Sequence, residues 1–379
     1  MIVRVARIGP VDATFSAPPS KSYTHRALIA GALAAGRSRI AGPLRAADTE
    51  LTARGLESLG VPVEWLPGEI TVTGCGGAFP TPGEVTIDCG NSGTTLRLLT
   101  SAALLARYPV VLTGSPRMLE RPVGPLADAL GALGGSVESA GRPGYPPIRV
   151  SGRLRGGKTQ IDGSISSQFV SSILMAAPYA EEDVELTLPA APASRSYLDV
   201  TADVMLRFGA RLERRGYDRF RVESGAVYRA RDYRIEGDYS SASYLFAVAA
   251  VCGGKVTVTG LSPASVQGDR RFLDVLEAMG CHVAAGVDAV TVERTGDLHG
   301  VEVDMSSSPD TVQTLAAVAA TATSPTTITG TAHLHYKESD RVGVTAATLR
   351  RMGAGVDVTD DSLTITPAPL HGVAVDPHN

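Results

Sequence analysis

Positive charge gathers in three short stretches whose residue types suit the handling of small anions. The first, Pro18-Pro19-Ser20-Lys21-Ser22-Tyr23-Thr24-His25-Arg26, sets Lys21, His25 and Arg26 at a helix-opening phrase. The helix dipole disfavours cations at an N-terminus by about 0.3–1 kcal/mol, so their placement there asks for a phosphate or carboxylate. The second is Arg117-Met118-Leu119-Glu120-Arg121-Pro122, and the third is Lys337-Glu338-Ser339-Asp340-Arg341. Taken alone, each of these two reads more simply as a solvated stretch held by local ion pairs.

The elements that must position these groups show as a repeat. Gly60, Gly134, Gly209, Gly280 and Gly353 each follow apolar residues at helical spacing and are separated by 74, 75, 71 and 73 residues. A glycine there ends a helix, and alternating segments such as Ile70-Thr71-Val72-Thr73 and Leu363-Thr364-Ile365-Thr366 then read as strands. Between the glycines, clusters of Ser, Gly, Asn or Asp near Ser22, Ser92, Ser167, Ser241 and Ser308 open five further apolar helices. Hydroxyl and carboxamide caps with unused N–H groups make such helix starts anion sites. A sixth cluster is expected close to residue 380, beyond Asn379, so the periodicity reads as truncated just before a site element.

Composition bounds the function. A chain of 379 residues implies two domains, and a net charge of -4 argues against a generic nucleic-acid binder. Cys75, Cys89, Cys252 and Cys281 form no C-x-x-C pair, which fits a reducing cytoplasm rather than a disulfide framework or zinc site. Met1-Ile2-Val3-Arg4-Val5 alternates like a strand and lacks a signal-peptide layout, and the apolar run from Leu98 to Leu112 is broken by Arg107 and Pro109. Neither a membrane segment nor a nucleic-acid partner is expected.

The phrases SAPPSKSYTHR, GNSGTTLR, GSPRMLERP, DGSISSQF, SRSYLDVT, EGDYSSAS, QGDRRF, SSPD and YKESDR, in this order from about Ser16 to the final residue, resemble the enolpyruvyl-transferase family, in particular its shikimate-pathway synthases. The resemblance implies an α/β (α+β) fold: a two-domain inside-out α/β barrel of βαβαββ units, five of the expected six present, with helix N-termini aimed at an interdomain cleft. One domain would span 17–235. The other would combine 1–16 with 236–379, its last unit incomplete.

It further implies transfer of the enolpyruvyl group of phosphoenolpyruvate to the 5-hydroxyl of shikimate 3-phosphate by addition and elimination of phosphate. Shikimate 3-phosphate would be held by Lys21, Ser22, Arg26, Ser166, Ser167, Gln168, Ser194, Tyr197, Asp310 and Lys337. Phosphoenolpyruvate would be framed by Lys21, Asn91, Gly93, Thr94, Arg121, Gln168, Lys337 and Arg341. Lys21, Asp310 and Glu338 would carry the chemistry, with Glu338 as acid and base and Lys21 as the second choice of proton donor. No metal or organic cofactor is implied, the chain is expected to work as a monomer in the cytoplasm, and glyphosate should compete with phosphoenolpyruvate beside Gly93. The family continues past a phrase like Asp376-Pro377-His378-Asn379 with further cations, so this chain is expected to bind shikimate 3-phosphate yet turn over poorly. His333, where many relatives have asparagine, weakens a phosphate contact there.

Two patterns are decoys. Gly152-Arg153-Leu154-Arg155-Gly156-Gly157-Lys158-Thr159 has P-loop spacing, but a turn and strand rather than a helix are expected after it. His333 and His335 lack a third metal ligand. The rival readings are a UDP-sugar enolpyruvyl transferase, which carries a cysteine in the loop that here runs from Arg117 to Arg121, and a non-catalytic binding protein.

Overall fold

A computed structural model describes residues 4–376. The chain makes five passes through one pattern, strand–helix–strand–helix–strand–strand. The first is β1 (Val11–Ser16), α1 (Lys21–Leu33), β2 (Ala35–Ala41), α2 (Ala47–Ser58), β3 (Val63–Leu66) and β4 (Glu69–Cys75). The second is β5 (Val85–Asp88), α3 (Gly93–Ala102), β6 (Val110–Thr113), α4 (Gly124–Ala132), β7 (Gly135–Ser139) and β8 (Ile148–Gly152). The third is β9 (Gly157–Gln160), α5 (Ser167–Ala176), β10 (Val184–Thr187), α6 (Ser196–Arg207), β11 (Leu212–Arg215) and β12 (Arg219–Val222). The fourth is β13 (Asp232–Arg234), α7 (Tyr239–Cys252), β14 (Gly254–Thr259), α8 (Arg271–Ala278), β15 (Cys281–Ala285) and β16 (Ala289–Arg294). The fifth is β17 (Glu302–Asp304), α9 (Val312–Ala319), β18 (Thr326–Thr329), α10 (Arg341–Met352), β19 (Gly355–Val358) and β20 (Ser362–Thr366).

The repeat glycines act as the helical spacing predicts. Gly60, Gly134, Gly209, Gly280 and Gly353 follow α2, α4, α6, α8 and α10 with φ of 88°, 93°, 94°, 108° and 108°. A side chain there would meet the following carbonyl, at about 1–2 kcal/mol. After α2, Gly60 N–H donates to Glu57 O and Val61 N–H to Leu56 O at 2.9 and 3.0 Å, and the same double closure recurs after α6 and α10. Each helix thus stops at the length that aims the next strand back along the sheet.

Each pass gives a four-stranded sheet in which the first strand pairs in parallel with the second and the fourth lies between the second and third, antiparallel to both, as in the order β5-β6-β8-β7. The first and fourth passes exchange their opening strands. β13 pairs in parallel with β2, Asp232 opposite Arg39, and β1 pairs in parallel with β14, Val11 opposite Gly254. The chain accordingly divides into two compact units, residues 19–235 with three sheets and residues 1–18 with 236–379 with two. Among the described residues no hydrogen-bonded barrel closes; in the larger unit separate sheets flank helices buried on nearly every side.

In α1 every residue from Tyr23 to Leu33 is buried, and α3 and α5 are buried almost throughout. In α1 the apolar residues form no stripe, because that helix has no solvent face to make polar. The smaller unit has its own core, including Phe246, Leu276, Leu315 and Ile365.

Of the run Met1 to Val5, residues 1–3 lie outside the described residues and Arg4 and Val5 are not in a strand; the first strand begins at Val11. Pro377, His378 and Asn379 also lie outside them. The P-loop-like stretch passes from the end of β8 into β9, with Lys158 paired to Glu185 at 2.9 Å, so no helix follows it. Among the described residues, no helix is long and apolar enough to cross a membrane.

Candidate active site

In the larger unit the predicted side chains sit at the starts of α1, α3, α5 and α6. Pro18 and Pro19 feed an extended Ser20, whose carbonyl accepts from the N–H and hydroxyl of Thr24 at 3.0 and 2.8 Å. Its own hydroxyl is buried and makes no cap to the first turn of α1, which opens at Lys21 and Ser22. Lys21 is half-exposed and reaches Asp48 Oδ2 of α2 at 3.2 Å.

The other two basic residues of that first cluster turn inward. His25 is fully buried; burial first, then the nearby charges of Lys21 and Arg26, push its pKa well below the ordinary imidazole value. It is neutral, and reading it as a cation facing an anion is corrected. Arg26 is also buried, donating to Thr201 Oγ1 at 2.7 Å, Ser22 O at 3.0 Å, Ser171 Oγ at 3.3 Å and Tyr197 O at 3.2 Å. Burial pulls its pKa down to about 10, which leaves it charged at neutral pH. Arg26 therefore clamps α1 to α5 and α6 and retains one further Nη1 hydrogen for a ligand.

At the start of α3, Ser92 caps the helix by accepting from Thr95 N–H at 3.3 Å. Gly93 follows directly against Arg121, which is only 6% exposed and donates from Nη1 to Asn91 O at 3.1 Å. A Cβ on Gly93 would lie 2.4 Å from Arg121 Nη2, so the glycine is what lets the guanidinium seat at the helix tip. Thr94 Oγ1 accepts from Gln168 Nε2 at 2.9 Å.

The start of α5 is joined to α3 by Arg97, a residue the sequence reading left without a role. It donates to Ser166 Oγ at 3.2 Å and Gln168 Oε1 at 2.8 Å and lies over the Phe169 ring. Ser166 also caps α5 through Gln168 N–H at 3.2 Å, and Ser167 is buried beside it. The available signal was arginine inside the otherwise apolar helix of GNSGTTLR, since a buried guanidinium must be hydrogen-bonded to be tolerated. Ser194, before α6, is buried with a left-handed φ of 54°, a conformation uncommon outside glycine and worth a functional look.

In the smaller unit, Arg341 at the start of α10 bridges two carboxylates. Nη1 donates to Asp310 Oδ1 and Nη2 to Glu338 Oε1, both at 2.5 Å, and Arg341 is 13% exposed. Burial pushes the Glu338 carboxyl up, but the charge and hydrogen bonds of Arg341 outweigh it and hold the group below its usual value. Glu338 is therefore ionised here. Burial, and then Lys337, bring His333 down to about 4, so it offers no charge to a phosphate.

The helix starts are not equivalent. Asp238, Asp269 and Glu236 bond Ser241, Ser240 and Ser265 around the opening of α7, and Gln267 bonds its first N–H. Acidic groups thus occupy the fourth cluster, which corrects the expectation that all five present free anion-binding ends. Arg117 pairs locally with Glu120 at 2.9 Å, as the simpler reading of that stretch holds.

Comparison with known proteins points one way. The profile of the EPSP synthase family (3-phosphoshikimate 1-carboxyvinyltransferase) matches residues 5–379. A curated 3-phosphoshikimate 1-carboxyvinyltransferase of Methanoculleus marisnigri is 86% identical over 379 residues, 100% of this chain and 90% of the relative. One from Methanoregula boonei is 57% identical over 380 residues, again 100% of this chain and 90% of the relative. Among solved structures, EPSP synthase from Acinetobacter baumannii superposes with a TM-score of 0.77 at 26% identity, covering 95% of this chain and 83% of that one. The chain belongs to the EPSP synthase family.

Proposed function

We propose that this chain is a 3-phosphoshikimate 1-carboxyvinyltransferase that joins phosphoenolpyruvate to the 5-hydroxyl of shikimate 3-phosphate, working as a monomer in the cytoplasm. The seating of Arg121 against Gly93 at the tip of α3 is the observation that carries the reading. A guanidinium fork beside a side-chain-free helix start suits a small dianion that must approach the backbone. The four cysteines, all free thiols, accord with a reducing compartment.

The substrate 5-hydroxyl adds to C2 of the enol while a proton reaches the methylene carbon, making a methyl group. The tetrahedral adduct then loses phosphate as a proton leaves that methyl, restoring the double bond. Ser166, Ser167, Ser194 and Arg26 hold the shikimate phosphate side, with Ser22, Gln168 and Tyr197 along the ring. Asn91, Gly93, Thr94 and Arg121 frame phosphoenolpyruvate, joined by Gln168. Lys337 contacts both substrates, Arg341 binds phosphoenolpyruvate, and Asp310 accepts or orients the hydroxyl proton. Orienting two substrates alone supplies about 7–11 kcal/mol of such a barrier.

Lys21 and Glu338 handle the proton at carbon. Because Arg341 holds Glu338 as a carboxylate, Glu338 enters the cycle as the base, and it becomes an acid only when Arg341 turns to a substrate anion. Phosphate release on mixing both substrates with the chain tests the activity. Glu338→Gln should lower kcat by at least about a hundredfold with little change in KM, the magnitude general acid–base catalysis carries. Wild-type release that this substitution leaves intact removes Glu338 from the chemistry, and no release from the wild type removes the activity.

A further inference from the structure

The proposed mechanism gives His25 no role, although it sits one turn beyond Lys21 and is fully buried. Its Nδ1 lies 2.7 Å from Thr52 Oγ1 of α2, and Thr52 Oγ1 lies 2.7 Å from Thr95 Oγ1 of α3. Thr95 Oγ1 lies in turn 2.7 Å from the cap Ser92 Oγ and 3.2 Å from the main-chain carbonyl of Asp48. Nε2 of His25 is buried without a partner.

Proton counting gives this chain a direction. The Asp48 carbonyl only accepts, so the Thr95 hydroxyl proton goes there, and Thr95 then accepts from both Ser92 and Thr52. Thr52, having donated its proton, must accept from His25, which requires hydrogen on Nδ1. If Thr95 donated to Ser92 instead, the same tautomer would follow. The reverse direction sets lone pairs of Thr95 and Asp48 against each other and leaves a buried Nε2–H with nothing to bond, and orphaned buried N–H groups are rare. The assigned direction leaves only a bare Nε2 acceptor.

We propose that His25, as the neutral Nδ1–H tautomer, is a positioning residue that heads a one-way hydrogen-bond chain through Thr52 and Thr95 to Asp48, fixing the starts of α1, α2 and α3 to one another. The circuit closes on the proposed chemistry: the Asp48 carboxylate holds Lys21, and Ser92 and Thr95 flank Gly93 and Thr94. The inference rests on the reading that those residues frame phosphoenolpyruvate.

Two measurements test it. Two-bond 1H–15N correlation of the unmutated chain with 15N-labelled histidine, with His25 identified from the His25→Asn spectrum, should show a protonated Nδ1 and a bare Nε2; a protonated Nε2 overturns the assignment. In kinetics, His25→Leu and Thr95→Val should each raise KM for phosphoenolpyruvate about tenfold while kcat falls less, since the first takes the donor from the buried Thr52 oxygen and the second takes the acceptor from the Thr52 and Ser92 hydroxyls. His25→Asn, whose amide nitrogen can take the place of Nδ1, should return KM to within about threefold of wild type. Unchanged KM in both disrupting variants, or an asparagine variant as poor as leucine, refutes the positioning role. If His25→Leu does not fold, Thr95→Val and the wild-type spectrum decide. A wild-type chain that releases no phosphate refutes the functional reading instead, and the tautomer still tests the chain of bonds.

Discussion

Gly93→Ala puts the proposed phosphoenolpyruvate site to its sharpest test. The new methyl would lie 2.4, 2.6 and 2.7 Å from Nη2, Cζ and Nη1 of Arg121, where ordinary contact starts near 3.4 Å. The guanidinium must therefore retreat by about 1 Å, which its flexible side chain permits without unfolding the helix. That movement strains the 3.1 Å bond to Asn91 O and carries the fork off the helix tip. Losing one hydrogen bond to a charged group costs about 1.5–3 kcal/mol, so KM for phosphoenolpyruvate should rise about ten- to a hundredfold. Shikimate 3-phosphate, assigned to Ser166, Ser167 and Ser194, should bind as before. Steady-state kinetics and calorimetry measure the two halves, and inhibition by glyphosate should weaken at least as much as phosphoenolpyruvate binding. An unchanged KM, or equal losses for both substrates, would refute the assignment of Gly93 and Arg121.

Lys21→Ala should abolish turnover while altering unfolding free energy by less than about 1 kcal/mol, because its ion pair with Asp48 is exposed; a large stability loss would make Lys21 structural. Arg97→Met strips partners from Ser166 and Gln168 at a buried position, so denaturant unfolding should show about 2 kcal/mol lost and weaker shikimate 3-phosphate binding. His333 binds its proton at about 4 in the folded chain and near 6.5 when unfolded, so the unfolded state takes up protons first as pH falls. Stability should thus decline from about pH 6.5 towards 4, and His333→Asn should lessen that decline in urea titrations at pH 7.5, 6 and 5; an identical slope would rule His333 out as its source.

Much of this was legible in the residues because it is local. Gly60, Gly134, Gly209, Gly280 and Gly353 announce helix ends through backbone conformation alone, and Ser92 and Ser166 announce caps through the reach of a hydroxyl. Hidden features depend on packing between distant segments. In the sequence Arg26 and His25 read as cations facing an anion at a helix start, yet α1 is buried on nearly every side, and only Thr201, Ser171 and Thr52 on other helices reveal why polar groups survive there. Arg97 shows in the sequence only as an arginine within an apolar helix, and its partners Ser166 and Gln168 come from α5 and the residue before it. The acidic closure of α7 needs Asp269 and Gln267, which the chain supplies about one helix later.

The crossing of β1 and β13 sets an order for events on the ribosome. β1 leaves the exit tunnel early, yet its partner β14 begins only at Gly254. At about 5–20 residues per second, the nascent strand waits roughly 10–50 s. Meanwhile the segment from Pro19 to Ile235 is fully synthesised and can seal itself as β13 docks on β2. Of the six residues of β1, four remain exposed even when paired, and three of those four, Asp12, Thr14 and Ser16, are polar, which leaves Phe15 as the apolar group that the waiting strand presents to neighbours.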